Sequence, residues 1–297
     1  MVIFSSSLWG LSGTAAQYLF SNYEVQPGFL VELRMFFSGI ILLLLFYLKR
    51  ESNGIHQRVS GSDVLSIIIF GIVGLLAVQL TYFLTIDFSN AGTATLLQYI
   101  YPFFIMAWLA VTSSKSVLPA EILSIVLAMG GLFFLLTDGS LSGIKISNLA
   151  VLFGLLSAVA AAFYTLYPRR LIQRFNTTMV TGWGMLSGSL IIMPLYAPWS
   201  FGDFRVDWIS ISLVIFVIIF GTALAFMLYL DSLKYIKPSE ASILSVFEPL
   251  SAVAVTVLVL GTRLGMLQIV GGGLIVTSTV ILSIRTGKAE PAKSNSG

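Results

Sequence analysis

Ile67-Ile-Ile-Phe-Gly-Ile-Val-Gly-Leu-Leu-Ala-Val-Gln-Leu-Thr-Tyr-Phe-Leu-Thr-Ile86 is a run of twenty residues without a charge. The hydrocarbon core of a bilayer takes about 20 predominantly apolar residues as a helix. A strand of a membrane barrel would be about ten residues long and would alternate in polarity. This run is longer and continuously apolar, so it reads as a helix. Ile122 to Thr137 is a second uncharged stretch. The same reading along the chain places spans at 2–20, 28–48, 63–86, 90–112, 118–137, 147–167, 178–197, 208–230, 239–260 and 264–284. The expectation is an all-α membrane protein of ten transmembrane helices.

Composition agrees. The chain has 297 residues, 57% hydrophobic and 10% charged, whereas a soluble domain carries about 25% charged residues. Ten spans use roughly 200 residues and leave roughly 100 for short connections and a tail. Cysteine is absent, which excludes disulfides, thiol nucleophiles and thiolate metal sites. The single histidine, His56, excludes a multi-histidine metal site. No phosphate-cradling GxxxxGK[ST] occurs, so ATP drive by this chain is not expected. The first span begins almost at Met1 with no basic flank or small-residue cleavage site, and reads as a retained span rather than a signal peptide. Residues 285–297 are polar and read as a disordered cytoplasmic tail.

Lys and Arg set the orientation. With the N-terminus inside, the inside segments hold Lys49, Arg50, Arg58, Lys115, Arg169, Arg170, Arg174, Lys234, Lys237, Arg285, Lys288 and Lys293. The outside segments hold Lys145, Arg205 and Arg263, and Arg34 falls inside a span. Twelve against three places both termini in the cytoplasm, and adding or dropping one span would scramble that asymmetry.

The chain also repeats itself. Tyr82, Phe88, Ala94, Leu97 and Pro102 match Tyr229, Tyr235, Ala241, Leu244 and Pro249 at a constant spacing of 147, and Gly74 and Gly221 keep it. Gly130-Gly131 and Gly271-Gly272-Gly273 correspond at a smaller offset. The expected units are two five-helix repeats, 1–137 and 147–284. Five is odd, so the second half enters the membrane from the opposite side. That is the inverted arrangement used for alternating access.

Trp9-Gly10, Arg34 early in the second span, and the patterns closing on Pro102 and on Glu248-Pro249 together resemble the EamA family of the drug/metabolite transporter superfamily. The resemblance covers nearly the whole chain. It implies a ten-helix fold around a central substrate cavity and roles in the export of amino acids, metabolites or toxic compounds. The first-half counterpart of Glu248 is Tyr101, so the acidic residue is not duplicated.

Several residues stand out as substrate-binding or coupling candidates. Arg34 lies about six residues, or about 9 Å, into its span. A cation there usually faces the bundle interior and has a partner. It reads equally as an anion-recognising or gating group and as a snorkelling or structurally paired one. Glu32 is its nearest acid, but two residues apart on a helix they face different ways. Glu248 precedes Pro249, which removes a backbone donor and can bend the helix; a buried carboxyl there could bind and release a proton, or be a bonded structural acid. Pro102 sits at the matching depth of the other half. Gln79, Gln98, Tyr82, Tyr99 and Tyr101 form a polar and aromatic set, to which Trp9, Tyr164, Trp183 and Tyr229 add aromatic surface suited to amphipathic or cationic ligands. Taken singly, each of these is more often packing than site. Glu240, after Pro238-Ser239, is explained by a helix start, and Gly184 and Gly188 by close helix contact.

The functional expectation is a multi-pass secondary transporter of the cell membrane, exporting small organic solutes. The alternative is a passive facilitator or channel. No cluster of polar catalytic groups suggests an enzyme, and no cofactor, metal or nucleic acid is expected. The partners are a small-molecule substrate and the bilayer, and a homodimer is compatible with the sequence. The charge asymmetry predicts that a reporter active only in the cytoplasm, fused after Gly297, will be active; activity of a reporter that works only outside would refute the orientation.

Overall fold

A computed structural model describes residues 1–48, 59–112, 119–140, 147–196, 204–260 and 264–288. His56, Lys49, Arg50, Arg58, Lys115, Lys145, Arg263 and the tail from residue 289 onward lie outside the described residues. Every element among the described residues is helical. We label α1 Val2–Tyr23, α2 Pro27–Leu48, α3 Gly61–Phe88, α4 Ala91–Thr112, α5 Pro119–Thr137, α6 Asn148–Arg174, α7 Thr177–Ile192 and α8 Trp208–Ser232. Helix α9 comprises Pro238–Leu244 and Phe247–Leu260, and α10 is Met266–Lys288. By length and composition, six of the described helices are able to cross a membrane: α2, α3, α4, α5, α6 and α8. Helix α10 runs to Lys288, so residues 285–288 are helical and not the start of a disordered tail. Helix α7 stops at Ile192, short of the expected end at 197.

Polar residues in the connections fix where helices begin. Ser60 and Asp63 form a reciprocal capping box at the start of α3. Asn90 Oδ1 accepts the Thr93 N–H at 2.8 Å, Ser147 Oγ the Ala150 N–H at 3.0 Å, and Asn176 Oδ1 the Thr178 N–H at 2.9 Å. Each such cap is worth about 1 kcal/mol. Asp207 starts α8 by accepting the Ser210 N–H at 2.7 Å, and Tyr23 at the end of α1 donates to it at 3.0 Å. The Ser210 backbone bond, ahead of the other contacts, holds the Asp207 carboxyl below its usual range.

The first-half helices pack on second-half helices. Helix α2 lies on α7, α5 on α10, α3 on α6, and α1 on α8 and the second piece of α9. Small residues permit these approaches. A Cβ on Gly131 would meet the Gly271 carbonyl at 2.7 Å, and one on Gly271 would meet the Gly131 carbonyl at 2.5 Å, so these two glycines form the α5–α10 contact. Large apolar side chains, among them Leu44, Leu48, Trp108, Val111 and Leu195, cover the outside.

Besides a turn at Tyr167–Pro168 near the end of α6, four interruptions break the regular α-helical ladder among the described residues. Residues Phe70–Leu76 of α3 and Ile219–Leu224 of α8 are π-helical. Helix α4 breaks between Gln98 and Tyr101, and α9 between Leu244 and Phe247. The π segments contain Gly74 and Gly221, and the breaks directly precede Pro102 and Pro249, so the interruptions recur with the spacing of the sequence repeat.

The π segment of α3 is pressed onto α7, and a Cβ on Gly71 would overlap Ser187 Oγ and the Gly184 carbonyl. Gly71→Ala should therefore cost about 1–3 kcal/mol, the usual range for overpacking. Gly130→Ala, with nothing within 4 Å of its Cβ, should be neutral. Unfolding of the two purified variants in detergent checks this; equal stabilities would refute the contact.

Candidate functional site

The breaks bring polar groups of opposite halves together. In α9 the Val246 N–H turns to the Ile243 carbonyl at 3.2 Å, and Ser242 loses the donor that a continuous helix would supply. Tyr99 and Tyr101 Oη, from the break in α4, each donate to the Ser242 carbonyl at 3.1 Å. Beside them Thr165 Oγ1 and Tyr229 Oη are 3.1 Å apart. Tyr229 and Tyr164 pack their rings against Trp9, at 5.1 and 6.3 Å between centroids.

Trp9, Tyr101 and Tyr164 of this cluster line a cavity of about 50 Å³ formed by residues of both halves. Of the sequence candidates, Trp9, Arg34, Gln79, Tyr82, Gln98, Tyr101, Tyr164 and Glu248 line it. Tyr99 and Tyr229 are buried behind this wall, 2% and 0% exposed. Pro102 is buried in α4, while Pro249 lines a vestibule of about 530 Å³ next to the cavity. Trp183 does not join them. It is 45% exposed and lines an outward apolar groove between α2, α3 and α7. Glu32 is also elsewhere: it faces α7, where Ser189 Oγ donates to its Oε1 at 2.7 Å and its buried Oε2 has no partner among the described residues.

Two charged side chains share the cavity. Arg34 reaches the π segment of α8: its Nε donates to Thr222 Oγ1 at 2.7 Å and its Nη2 to the Gly221 carbonyl at 3.1 Å. One turn further along α2, Ser38 Oγ donates to the Ile218 carbonyl at 2.8 Å. The Phe83 ring covers one face of the guanidinium, 4.7 Å from its Cζ, a favourable cation–π placement. Glu248 is the second residue of the Phe247–Leu260 piece of α9, where the aligned N–H groups favour a carboxylate. Tyr82 Oη is 2.9 Å from Thr95 Oγ1 and donates to Glu248 Oε1 at 3.3 Å. Tyr82 and Glu248 line both cavity and vestibule, so their contact lies between the two. Gly10 makes this possible, because a Cβ there would overlap the Glu248 carbonyl. Gln98 is anchored to Ser157 Oγ at 2.6 Å.

The sequence reading missed Ser12, Phe83, Phe226, Thr222 and Ser245, all on the cavity wall or bonded to it. Thr222 was within reach, since it follows Gly221 of the repeat. The described residues contain no group of three or more His, Cys, Asp and Glu able to hold a metal.

A helical membrane protein enclosing a polar and aromatic cavity between its halves has the architecture of a transporter. The profile of the EamA-like transporter family matches residues 1–137 and again 148–284, and the chain belongs to that family. It is 37% identical to the uncharacterized inner membrane transporter YicL of Salmonella typhimurium, over 95% of this chain and 94% of that one. It is 25% identical to the riboflavin transporter ImpX of Fusobacterium nucleatum, over 95% and 96%. A solved crystal structure superposes with a TM-score of 0.74 at 18% identity and 98% coverage of both chains, a likeness of fold.

Tyr82→Phe removes the hydroxyl shared by Thr95 and Glu248 and leaves Glu248 Oε1 without that donor. The expected cost is about 1–3 kcal/mol, the penalty for an unsatisfied buried polar group. Thermal unfolding in detergent measures it; wild-type stability would show that the contact is not maintained.

Proposed function

We propose that this chain is a secondary transporter that exports small organic solutes across the cell membrane by alternating access. Ten spans in two inverted five-helix halves, 1–137 and 147–284, with both termini in the cytoplasm, supply the symmetry. What supports the inverted reading is the pairing of α2 with α7 and α5 with α10, each a helix beside its own counterpart, together with the interruptions at matched positions. The single observation that carries the transport reading is the cavity containing Arg34 and Glu248. It is flanked by the vestibule on one side and by the Tyr99, Tyr101 and Ser242 contact on the other. A site closed at one end by side chains from both halves can reopen there if the halves rock and the vestibule closes.

The vestibule is lined by Thr14, Gln17 and Asn22 of α1 and by Ala91 and Gly92 at the start of α4. With the N-terminus inside, this is the outer face. The conformer is then outward-facing, and the tyrosine pair is its inner closure. Glu248 is the coupling carboxyl of this reading, because it touches the Tyr82 hydroxyl where cavity and vestibule meet.

Counterflow in proteoliposomes, across a panel of amino acids and cationic drugs, tests transport; no exchange with any of them would count against it. Uphill movement separates a secondary transporter from a passive facilitator. Glu248→Gln keeps a hydrogen-bond acceptor for Tyr82 but removes titration. Uphill, pH-driven transport should fail in this variant while exchange persists. Equal pH-driven rates in the two proteins would mean that Glu248 is not the coupling group.

A further inference from the structure

Arg34 is 4% exposed and is in contact with no carboxylate among the described residues, although Glu248 is near enough to attract it. None of the ion pairs formed among the described residues includes it. Glu248 lines the same cavity and attracts the guanidinium without contacting it, and its Oε1 accepts from Tyr82. Glu32, two residues along, points at Ser189 on α7. The guanidinium is charged at any relevant pH and offers five N–H donors in a planar fork. Thr222, Gly221 and the Phe83 ring fix its position through Nε, Nη2 and one face. Its Nη1 makes no hydrogen bond among the described residues, and Arg34 lines the cavity. The bonds to α8 hold the fork still and leave one prong of it unused.

A second buried donor lies next to it. Ser12 is 2% exposed, and its Oγ has no partner among the described residues. It packs against Gly221, whose carbonyl holds Arg34 Nη2, and it lines the same cavity. A fixed guanidinium prong beside a free hydroxyl is a donor set for one carboxylate, whose planar pair of oxygens matches that fork. The rest of the wall carries the rings of Trp9, Tyr164 and Phe226, packed ring to ring, which suit an apolar or aromatic body, while Trp9 Nε1 and Gln79 Oε1, also without partners among the described residues, add a donor and an acceptor. Glu248 in the same cavity disfavours a second negative charge.

We infer that Arg34, with Ser12 beside it, recognises a single carboxylate on a small organic solute that has an apolar or aromatic body. This rests on the cavity being the transport site and names the chemical class that it takes. A structural pin would need only the bonds to Thr222 and Gly221; it would give no preference among ligands.

Three probes with one ring and chain and different head groups test it: 3-phenylpropionate, 3-phenylpropanamide and 3-phenylpropylamine, titrated onto the purified full chain in nanodiscs with thermal stabilisation as readout. The acid should act at about tenfold lower concentration than the amide or the amine, because a site built for a polar group rejects analogues that cannot satisfy it. Chloride and inorganic phosphate at the same concentrations should not reproduce the effect. Arg34→Lys keeps the charge without the fork and should reduce the preference for the acid. Ser12→Ala should weaken the acid more than the amide, because a hydrogen bond to a charged acceptor is the stronger one. If the Arg34 variant does not fold, the wild-type comparison and Ser12→Ala still decide. An acid no better than the amide, or matched by phosphate or chloride, overturns the inference. Counterflow of the amine but not of the acid would do the same while leaving transport intact. An acid that stabilises the protein, with no counterflow of it or of any solute in the panel, would instead sink the transport reading and keep the carboxylate site.

Discussion

A backbone N–H or C=O inside a bilayer has no water to turn to, so every departure from the helical ladder must be answered from within the protein. Besides the turn near the end of α6, the described residues depart from it at four places. At two of them the answering groups can be named. The Ser242 carbonyl freed in α9 accepts from Tyr99 and Tyr101 of α4. The carbonyls of Ile218 and Gly221, beside and within the π segment of α8, accept from Ser38 and Arg34 of α2. In each case the donor comes from the first half and the acceptor from the second. The irregular backbone therefore ties the halves together, and the cavity forms where these ties converge.

That origin explains the mixture of groups in the site. Tyrosines can satisfy a carbonyl through one atom and present an apolar ring elsewhere. Arg34 satisfies a carbonyl and a hydroxyl and still has donor capacity for the cavity. The same side chains serve structure and site, so substitutions here move stability and activity together. Readouts that compare ligands within one protein are cleaner than those that compare variants.

The helices were legible because a bilayer imposes a length and an apolar run that few other environments demand, and six of those described are long and apolar enough to cross one. Most observed boundaries lie within a few residues of the expected ones. The breaks were legible as well, since Pro102 and Pro249 remove donors at matched positions. The π segments were not: a π bulge leaves no proline, and Gly74 and Gly221 marked only a spacing. Arg34 and Glu248 stood out as charges in apolar runs, but one sequence cannot say which face of a helix meets which neighbour. Hence Trp183, equal in type to Trp9, lies on the outside, and Glu32, equal in charge to Glu248, faces α7 and not the cavity. Ser12 and Thr222 carried no signal of their own, because small hydroxyl residues in membrane helices commonly bond their own backbone.

The chemistry of the site is less symmetric than its frame. At the spacing of the repeat, Glu248 corresponds to Tyr101 and Arg34 to Thr181. Thr181 bonds the Thr177 carbonyl of its own helix at 2.7 Å, and Tyr101 bonds Ser242. Each charge therefore occurs once, the cation on α2 of the first half and the carboxyl on α9 of the second. Under the proposed alternating access the frame needs near-equivalent packing of its halves, and the mutual approach of Gly131 and Gly271 is compatible with that. A site that must hold one solute in one orientation needs the opposite, two different poles. Duplicating the charges would create four poles and two equivalent poses, and would bury two more ions at about 2.5–3.5 kcal/mol each. One cation and one carboxyl, contributed by different halves, give the cavity two unlike poles that a duplicated site would lack.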